Sequence, residues 1–424
     1  MKLKPHQIAG AEWLQTKHHG LLADEMRVGK TLTAIHGADL IDAKRILVVC
    51  PAVGRANWAK MFTENQAVDR VVRTILGAAA LPLAPLGEPE VAITSYELMI
   101  PSGFPGGWDL LILDEAHYLR HCDSRRAKQV LGKQGIVHKA KRTWALTGTP
   151  AVNHAAEMWP LLHVFGVYKG TYESFVQEFC TGYSGQRGFK ITGTKNADGL
   201  KALLTDVMLR RRFTEVAPEL APIDFSDYAV ESPSDTGIDL AEEELVRNAL
   251  QAPDQVVALE QLAASVAALH RYTGLAKAGA AVDLVNYELA NGRRKLVLFA
   301  VHREVIALLM EQLAEYNPAL IYGGISATAR QAAVDRFRDD TSCQVFIGQV
   351  TAAGTCIDLS AADDAIFVEY SWVPGDNAQA AMRIQNLHAS SEKTVRFLTL
   401  ARSIDESITR VYRRKIRDLA NIFD

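Results

Sequence analysis

Two short stretches carry residue types that could handle a nucleotide. Residues 21–31 read LLADEMRVGKT, an apolar run that turns through charged residues into Gly-Lys-Thr. The TLTAIHGADLIDA that follows has the pattern of an amphipathic helix. Strand, loop, Gly-Lys-Thr and helix predict a phosphate-binding loop made by Met26, Arg27, Val28, Gly29, Lys30 and Thr31. Backbone N–H groups of the loop and the helix N-terminus would face phosphate oxygens. Lys30 would add a point charge there, and the Thr31 hydroxyl would ligate Mg2+. Asp24 stands where G-x-x-x-x-G-K-[ST] begins with Gly, so the match is imperfect. A chance Gly-Lys-Thr at a helix start is the competing explanation.

The second stretch is DLLILDEAH, residues 109–117. Leu110–Leu113 has the continuous apolar character of a buried parallel strand. Asp114 and Glu115 fall at its C-terminal end, where open α/β sheets bind their ligands. Asp114 can hold a magnesium ion, and Glu115 can orient and polarise an attacking water. A plain acidic N-cap is the alternative, and a phosphate loop upstream of a strand that feeds the acidic pair argues against it.

These residues need strands and helices to carry them, and the rest of the chain supplies the pattern. It has 424 residues, 48% hydrophobic and 22% charged, an ordinary globular composition with room for two or three domains. No apolar run reaches membrane-spanning length, and MKLKPHQIAG lacks a signal-peptide core, so a cytoplasmic protein is expected. The five cysteines, Cys50, Cys122, Cys180, Cys343 and Cys356, form no C-x-x-C pair. Free thiols in a reducing compartment are expected, and a zinc site is not. With a net charge of −3, nucleic acid would have to meet local basic patches.

In chain order, Gln7 follows Leu3-Lys4-Pro5-His6, and its amide could both donate to and accept from an adenine. Strand-like ILVVC and VAITS frame a helix-like RANWAKMF. Arg55, Trp58, Thr94 and Ser95 are candidates for contact with a nucleic-acid strand, and Trp58 is equally a packing residue. TWALTGTP predicts a strand ending in Thr147 and Thr149, whose hydroxyls can couple the nucleotide site to a neighbouring lobe. A mostly helical, aromatic-rich stretch, about 153–213, ends in Met208-Leu209-Arg210-Arg211-Arg212. These arginines could contact phosphates or cap a helix end. Prolines mark 217–238 as a linker between a first lobe, 1–216, and a second half, 239–424. That half opens with a helical region and then alternates strands with helices, as a parallel sheet requires, but has no phosphate loop.

The order of motifs resembles the Swi/Snf-like DNA translocases of helicase superfamily two. LKPHQ, ADEMRVGKT, CPAVGRANW, TSYEL, DEAHYLR, LTGTP and MLRRR carry the likeness in the first half. VLFAVHREVI, IYGGISATAR and TAAGTCIDLSAADDAIFVEYSWVPGDNAQAAMR carry it in the second, with a special similarity to the branch of the annealing helicase HARP. The resemblance implies two RecA-like lobes, each a parallel sheet flanked by helices, with a helical insertion ending lobe one. It implies ATP hydrolysis, with Mg2+, at the cleft between them, driving movement along double-stranded or forked DNA. It further implies that Gln7 recognises adenine and that Lys30 and Thr31 bind phosphate and Mg2+. Asp114 and Glu115 would run hydrolysis, while Thr147 and Thr149 would couple it to DNA. Thr351 and Gly354 would lie near DNA, and Arg383 would reach the phosphates from lobe two.

Three positions depart from the family pattern. Arg27 replaces a loop Gly, a residue favoured where φ is positive. Cys356 replaces another Gly. Asn386 stands where the family has its second arginine, the expected arginine finger, whose loss costs about a thousandfold or more in rate. Arg402, Arg410 or Lys393 could substitute. The chain's length suggests a minimal bacterial or phage motor, monomeric, with a possible protein partner. The alternatives are a nucleotide-gated DNA-binding module with weak ATPase activity and, behind it, an RNA helicase.

Overall fold

The computed structural model describes residues 3–77, 88–100, 103–185, 188–231, 244, 248, 263–354, 357–387, 391–403, 405–406 and 409. It divides into two units, one built mainly from Met1–Thr181 and Gly193–Pro218, the other from Gly182–Thr192 and Glu219–Asp418.

The first unit is organised on a seven-stranded sheet. Its strands are β1 (His19–Leu22), β2 (Arg45–Cys50), β3 (Val71–Thr74), β4 (Glu90–Ser95), β5 (Trp108–Asp114), β6 (Ala140–Leu146) and β9 (Met208–Leu209). They lie in the order β3-β4-β2-β5-β6-β1-β9, and every pair is parallel. Helices must then cover the sheet, so the strand residues are apolar on both faces. Ile46, Val48, Ile93, Ile112 and Trp144 form one such face with Leu14, Ile35, Trp58 and Phe62 from helices Pro5–Gln15, Lys30–Leu40 and Arg55–Asn65. The register brings the site together. Leu146 of β6 pairs with Leu22 of β1 on one side and with Asp114 of β5 on the other. The loops that follow these three strands therefore leave one edge of the sheet side by side.

The stretch at 153–213 is less helical than its composition predicts. It contains a two-stranded ribbon of β7 (Cys180–Gly185) and β8 (Gly188–Thr194). Glycines within both strands and scattered polar residues hide the strand alternation there.

The second unit carries a six-stranded parallel sheet, β10-β15-β14-β11-β13-β12, formed by Asp224–Val230, Thr394–Leu400, Asp364–Phe367, Leu296–Ala300, Val345–Gln349 and Ala319–Ile321. Along β11, Leu296, Leu298 and Ala300 pack into one core, and Val297 and Phe299 into another. Strand β10 falls within residues 217–238, expected as a linker. It is an edge strand with mostly exposed residues, so no apolar pattern betrays it. Of the helical region expected near 240–289, the continuous described part is the helix Ala263–Ala290. No helix among the described residues is long and apolar enough to cross a membrane. Among the described residues, Cys50, Cys122, Cys180 and Cys343 are in no disulfide; Cys356 and Arg410 lie outside the described residues.

Candidate nucleotide site

The loop between β1 and helix Lys30–Leu40 has two residues with positive φ. Gly29, the N-cap, has φ 96°, and Arg27 has φ 67°. Arg27 thus takes a left-handed backbone, the conformation a glycine would adopt without strain. For an L-residue that conformation costs roughly 1–2 kcal/mol. The loop persists because it is held from several sides. His6 Nε2 lies 2.9 Å from the Val28 carbonyl. The buried Gln7 amide sits over Gly29, where any Cβ would collide with it, and its Oε1 accepts from Lys4 N–H at 2.9 Å.

Asp24, fully buried, forms a bidentate pair with Arg211, whose Nε donates to Oδ1 at 3.0 Å. Arg211 also donates to the His6 carbonyl. Backbone N–H groups of Leu21, Ala23 and Glu25 continue the β1–β9 pairing onto the carbonyls of Val207, Leu209 and Arg211. The aspartate in place of the first Gly is therefore an anchor for the loop. Two members of the arginine run are engaged with the first unit's own chain. Arg211 is engaged beneath the loop, and Arg210 donates to the Ala23 carbonyl at 3.0 Å.

Lys30 projects back along the loop, its ammonium donating to the carbonyls of Asp24 at 2.8 Å and Glu25 at 2.9 Å. A Cβ on Gly148 would come within 3.4 Å of that ammonium and 2.6 Å of Met26 Cγ. The Thr147-Gly148-Thr149 turn thus needs its glycine to approach the phosphate loop. Thr31 opens the helix beside Lys30, in a first turn whose N–H groups have no acceptor inside the helix.

Asp114 ends β5. Its Oδ2 accepts from the Trp58 indole at 2.7 Å and its Oδ1 from Glu115 N–H at 3.0 Å, while the Tyr96 hydroxyl donates to its carbonyl at 2.8 Å. Burial, then the neighbouring Glu115 carboxylate, push the Asp114 carboxyl up to about 7, against the pull of Trp58 and the Lys30 ammonium. Glu115 takes φ 49°, another non-glycine residue in the left-handed region. Such strain is common at functional sites. Its Oε2 lies 3.4 Å from His117 Nδ1, which is 3.2 Å from Thr147 Oγ1; that oxygen accepts from Thr149 N–H at 3.1 Å. One chain of contacts therefore joins the acidic motif to the Thr-Gly-Thr turn.

The chemistry of this donor set fits a metal–nucleotide complex. A half-buried carboxylate with a raised pKa, beside a second carboxylate and a threonine at a helix start, is the arrangement a divalent cation would compensate. Thr31 and Asp114 would hold it.

Of four residues expected at a nucleic-acid surface, three are buried and Arg55 is half-buried. Trp58 is 1% exposed and bonded to Asp114. Thr94 and Ser95 are buried, because β4 runs between β3 and β2. Arg55 donates to the carbonyls of Ala52 and Ile75 at 3.1 and 2.8 Å. Sequence reading missed His6, Tyr96, His117 and the Asp24–Arg211 pair.

In the second unit, Thr351 is exposed on a short helix and Gly354 is buried at its end. Arg383 is buried, with Nε donating to the Gly354 carbonyl at 2.9 Å. Asn386 Nδ2 donates to Ser360 Oγ at 3.3 Å. Lys393 is 1% exposed, its ammonium on the Ala362 carbonyl at 2.8 Å and on Asp363 at 2.7 Å. Arg402 is exposed at a turn, with φ 59°.

A family model described as the SNF2-related domain matches residues 6–226, and one described as the helicase conserved C-terminal domain matches residues 277–387. The DNA annealing helicase and endonuclease ZRANB3 of Bos taurus is 27% identical over 435 residues, covering 98% of this chain and 40% of that protein. The SWI/SNF-related matrix-associated actin-dependent regulator of chromatin subfamily A-like protein 1 of Xenopus tropicalis is 26% identical over 442 residues, covering 98% and 44%. The chain thus spans about two fifths of the length of these relatives. A solved Sulfolobus solfataricus SWI2/SNF2 ATPase core in complex with dsDNA is 19% identical, with a TM-score of 0.45 over 100% of this chain and 97% of that one. The resemblance drawn from the motifs is borne out: with more than half its length matched by the first model, this chain belongs to the SNF2-related family.

Proposed function

We propose that this chain is an ATP-dependent translocase on double-stranded or forked DNA that remodels or anneals strands. The observation that carries the proposal is the meeting of Lys30, Asp114, Glu115, His117 and Thr147 at one edge of the first sheet. In this reading the Lys30 ammonium and first-turn N–H groups bind the phosphates. Mg2+, held by Thr31 and Asp114, neutralises phosphate charge when bound. Glu115 orients the attacking water and accepts its proton. The Glu115–His117–Thr147 contacts transmit the state of the phosphates to the Thr147–Thr149 turn. Gln7 and His6 keep the loop closed over its own backbone, with Gln7 beside the base.

A second reading has specific support. Asn386 offers no cation, and both Arg383 and Lys393 are buried on carbonyls of their own unit. These features favour slow hydrolysis or a requirement for a partner protein. A monomer acting in the cytoplasm completes the proposal, and RNA is the less favoured track.

Annealing of complementary strands and displacement of a third strand from duplex DNA test the reading. Both should require ATP and fail in Lys30→Ala. Activity that persists without ATP would contradict the translocase reading, and preference for RNA would redirect it.

A further inference from the structure

Three donors converge on Asp114 from three parts of the first unit. The Trp58 indole comes from the helix Arg55–Asn65 and meets Oδ2 at 2.7 Å. The Tyr96 hydroxyl follows β4 and meets the backbone carbonyl at 2.8 Å. The Glu115 N–H meets Oδ1 at 3.0 Å. Both aromatic residues are 1% exposed and neither can swing freely. Trp58 packs on Phe62 at 5.9 Å between ring centroids, and Tyr96 stacks on Tyr118 at 5.6 Å.

A buried indole N–H needs an acceptor, and a neutral carbonyl would serve. Here it is given a carboxylate. Neutral donors leave the charge on Asp114 while fixing the plane of its carboxyl group. An ionised carboxylate has about four lone-pair sites, so two N–H donors leave about two with fixed directions. We infer that Trp58 and Tyr96 are positioning residues that aim the remaining lone pairs of Asp114 at the divalent cation accompanying the nucleotide. The inference rests on the nucleotide reading above and extends it to residues outside the phosphate loop and the acidic motif.

Partners that orient a ligating group typically matter about 10–100-fold in metal affinity or activity. Trp58→Phe keeps an aromatic ring against Phe62 and removes the N–H. Tyr96→Phe removes only the hydroxyl. The affinity of each protein for a fluorescent ATP analogue would be measured across free Mg2+ concentrations and in EDTA. Mn2+ bound to the nucleotide-loaded proteins would be titrated by electron paramagnetic resonance.

In Trp58→Phe the metal concentration for half-saturation should rise about tenfold or more. Metal-free nucleotide affinity should stay within about twofold, since the change acts through the metal ligand. Tyr96→Phe should move the same quantity in the same direction by less, because it touches the backbone of Asp114. Unchanged metal dependence in both variants overturns the inference, as do equal losses with and without metal, which would make the contact a packing one. If Trp58→Phe does not fold, Tyr96→Phe decides alone on the same readout. Wild-type protein that binds no nucleotide in either condition fails the nucleotide reading itself. Wild type that binds Mg-ATP, with variants identical to it, fails this inference alone.

Discussion

The two sheets are built alike and furnished differently at their strand ends. Each is all-parallel, with apolar central strands buried on both faces and loops leaving the strand ends. At the ends of β1, β5 and β6 the first sheet gathers an ammonium, two carboxylates and an imidazole, and part of their charge is left uncompensated. Near the strand ends of the second sheet, three cations are directed at its own backbone. Arg383 donates to Gly354, Arg303 to Gly323 and Lys393 to Ala362. Glu369, fully buried, accepts from the N–H groups of Val301 and His302 and pairs with His302 Nδ1 at 2.6 Å. The difference teaches that the scaffold only offers positions. A site arises where the groups there remain electrostatically unsettled.

Substitutions can break this contrast or sharpen it. The largest effect should come from Glu115→Gln, which keeps the shape of the first edge and removes a base. Hydrolysis should fall about 10²–10⁴-fold, with nucleotide affinity retained, in paired turnover and binding assays. Turnover equal to wild type would show that the strained acidic motif does no proton work.

Next is the anchor. Asp24→Ala leaves Arg211 without its carboxylate beneath the phosphate loop. Removing one partner of a buried pair costs about 3–5 kcal/mol, so the midpoint of urea unfolding should drop clearly. Arg383→Ala, made at the other sheet, loses hydrogen bonds to Gly354 and should destabilise by only about 1–3 kcal/mol, with nucleotide affinity unchanged.

Asp114→Asn tests the unsettled charge directly. The usual carboxyl value is 3.8, and the folded protein holds this proton up to about 7. The native state binds more protons than the unfolded chain between those values, so stability falls as pH rises through that window, and the cost is full above it. In nucleotide-free protein at pH 8 the asparagine should therefore stabilise, by on the order of 2–4 kcal/mol, and at pH 4 the gain should nearly vanish. Thermal denaturation at the two pH values checks the sign. The smallest effect is Arg27→Gly, which relieves a left-handed arginine and should raise stability by about 1 kcal/mol or less, partly offset by the freer unfolded chain.

Much of this was legible in the sequence because it is local. Gly-Lys-Thr before a helix pattern and Asp-Glu after an apolar run place a loop and a strand end without further help. What was not legible depends on pairings across the chain. Asp24 and Arg211 lie 187 positions apart, and Trp58 and Asp114 lie 56 apart. No spacing rule connects them, so Asp24 looked like a flaw in a motif and Trp58 stayed open between nucleic-acid contact and packing. Thr94 and Ser95 misled for a related reason. A hydroxyl at a strand end looks the same whether that end is open or covered, and the strand order decides. Strand β10 escaped notice because an edge strand with exposed residues has no apolar face to reveal it.

If the edge formed by β1, β5 and β6 hydrolyses ATP in response to DNA, steady-state hydrolysis by the purified protein will show it, measured with no DNA and with single-stranded, duplex and forked DNA, and with Lys30→Ala as background. Turnover should exceed that background and rise with duplex or forked DNA. Turnover equal to Lys30→Ala with every DNA, in protein that binds ATP, would contradict it and leave a nucleotide-gated binding module.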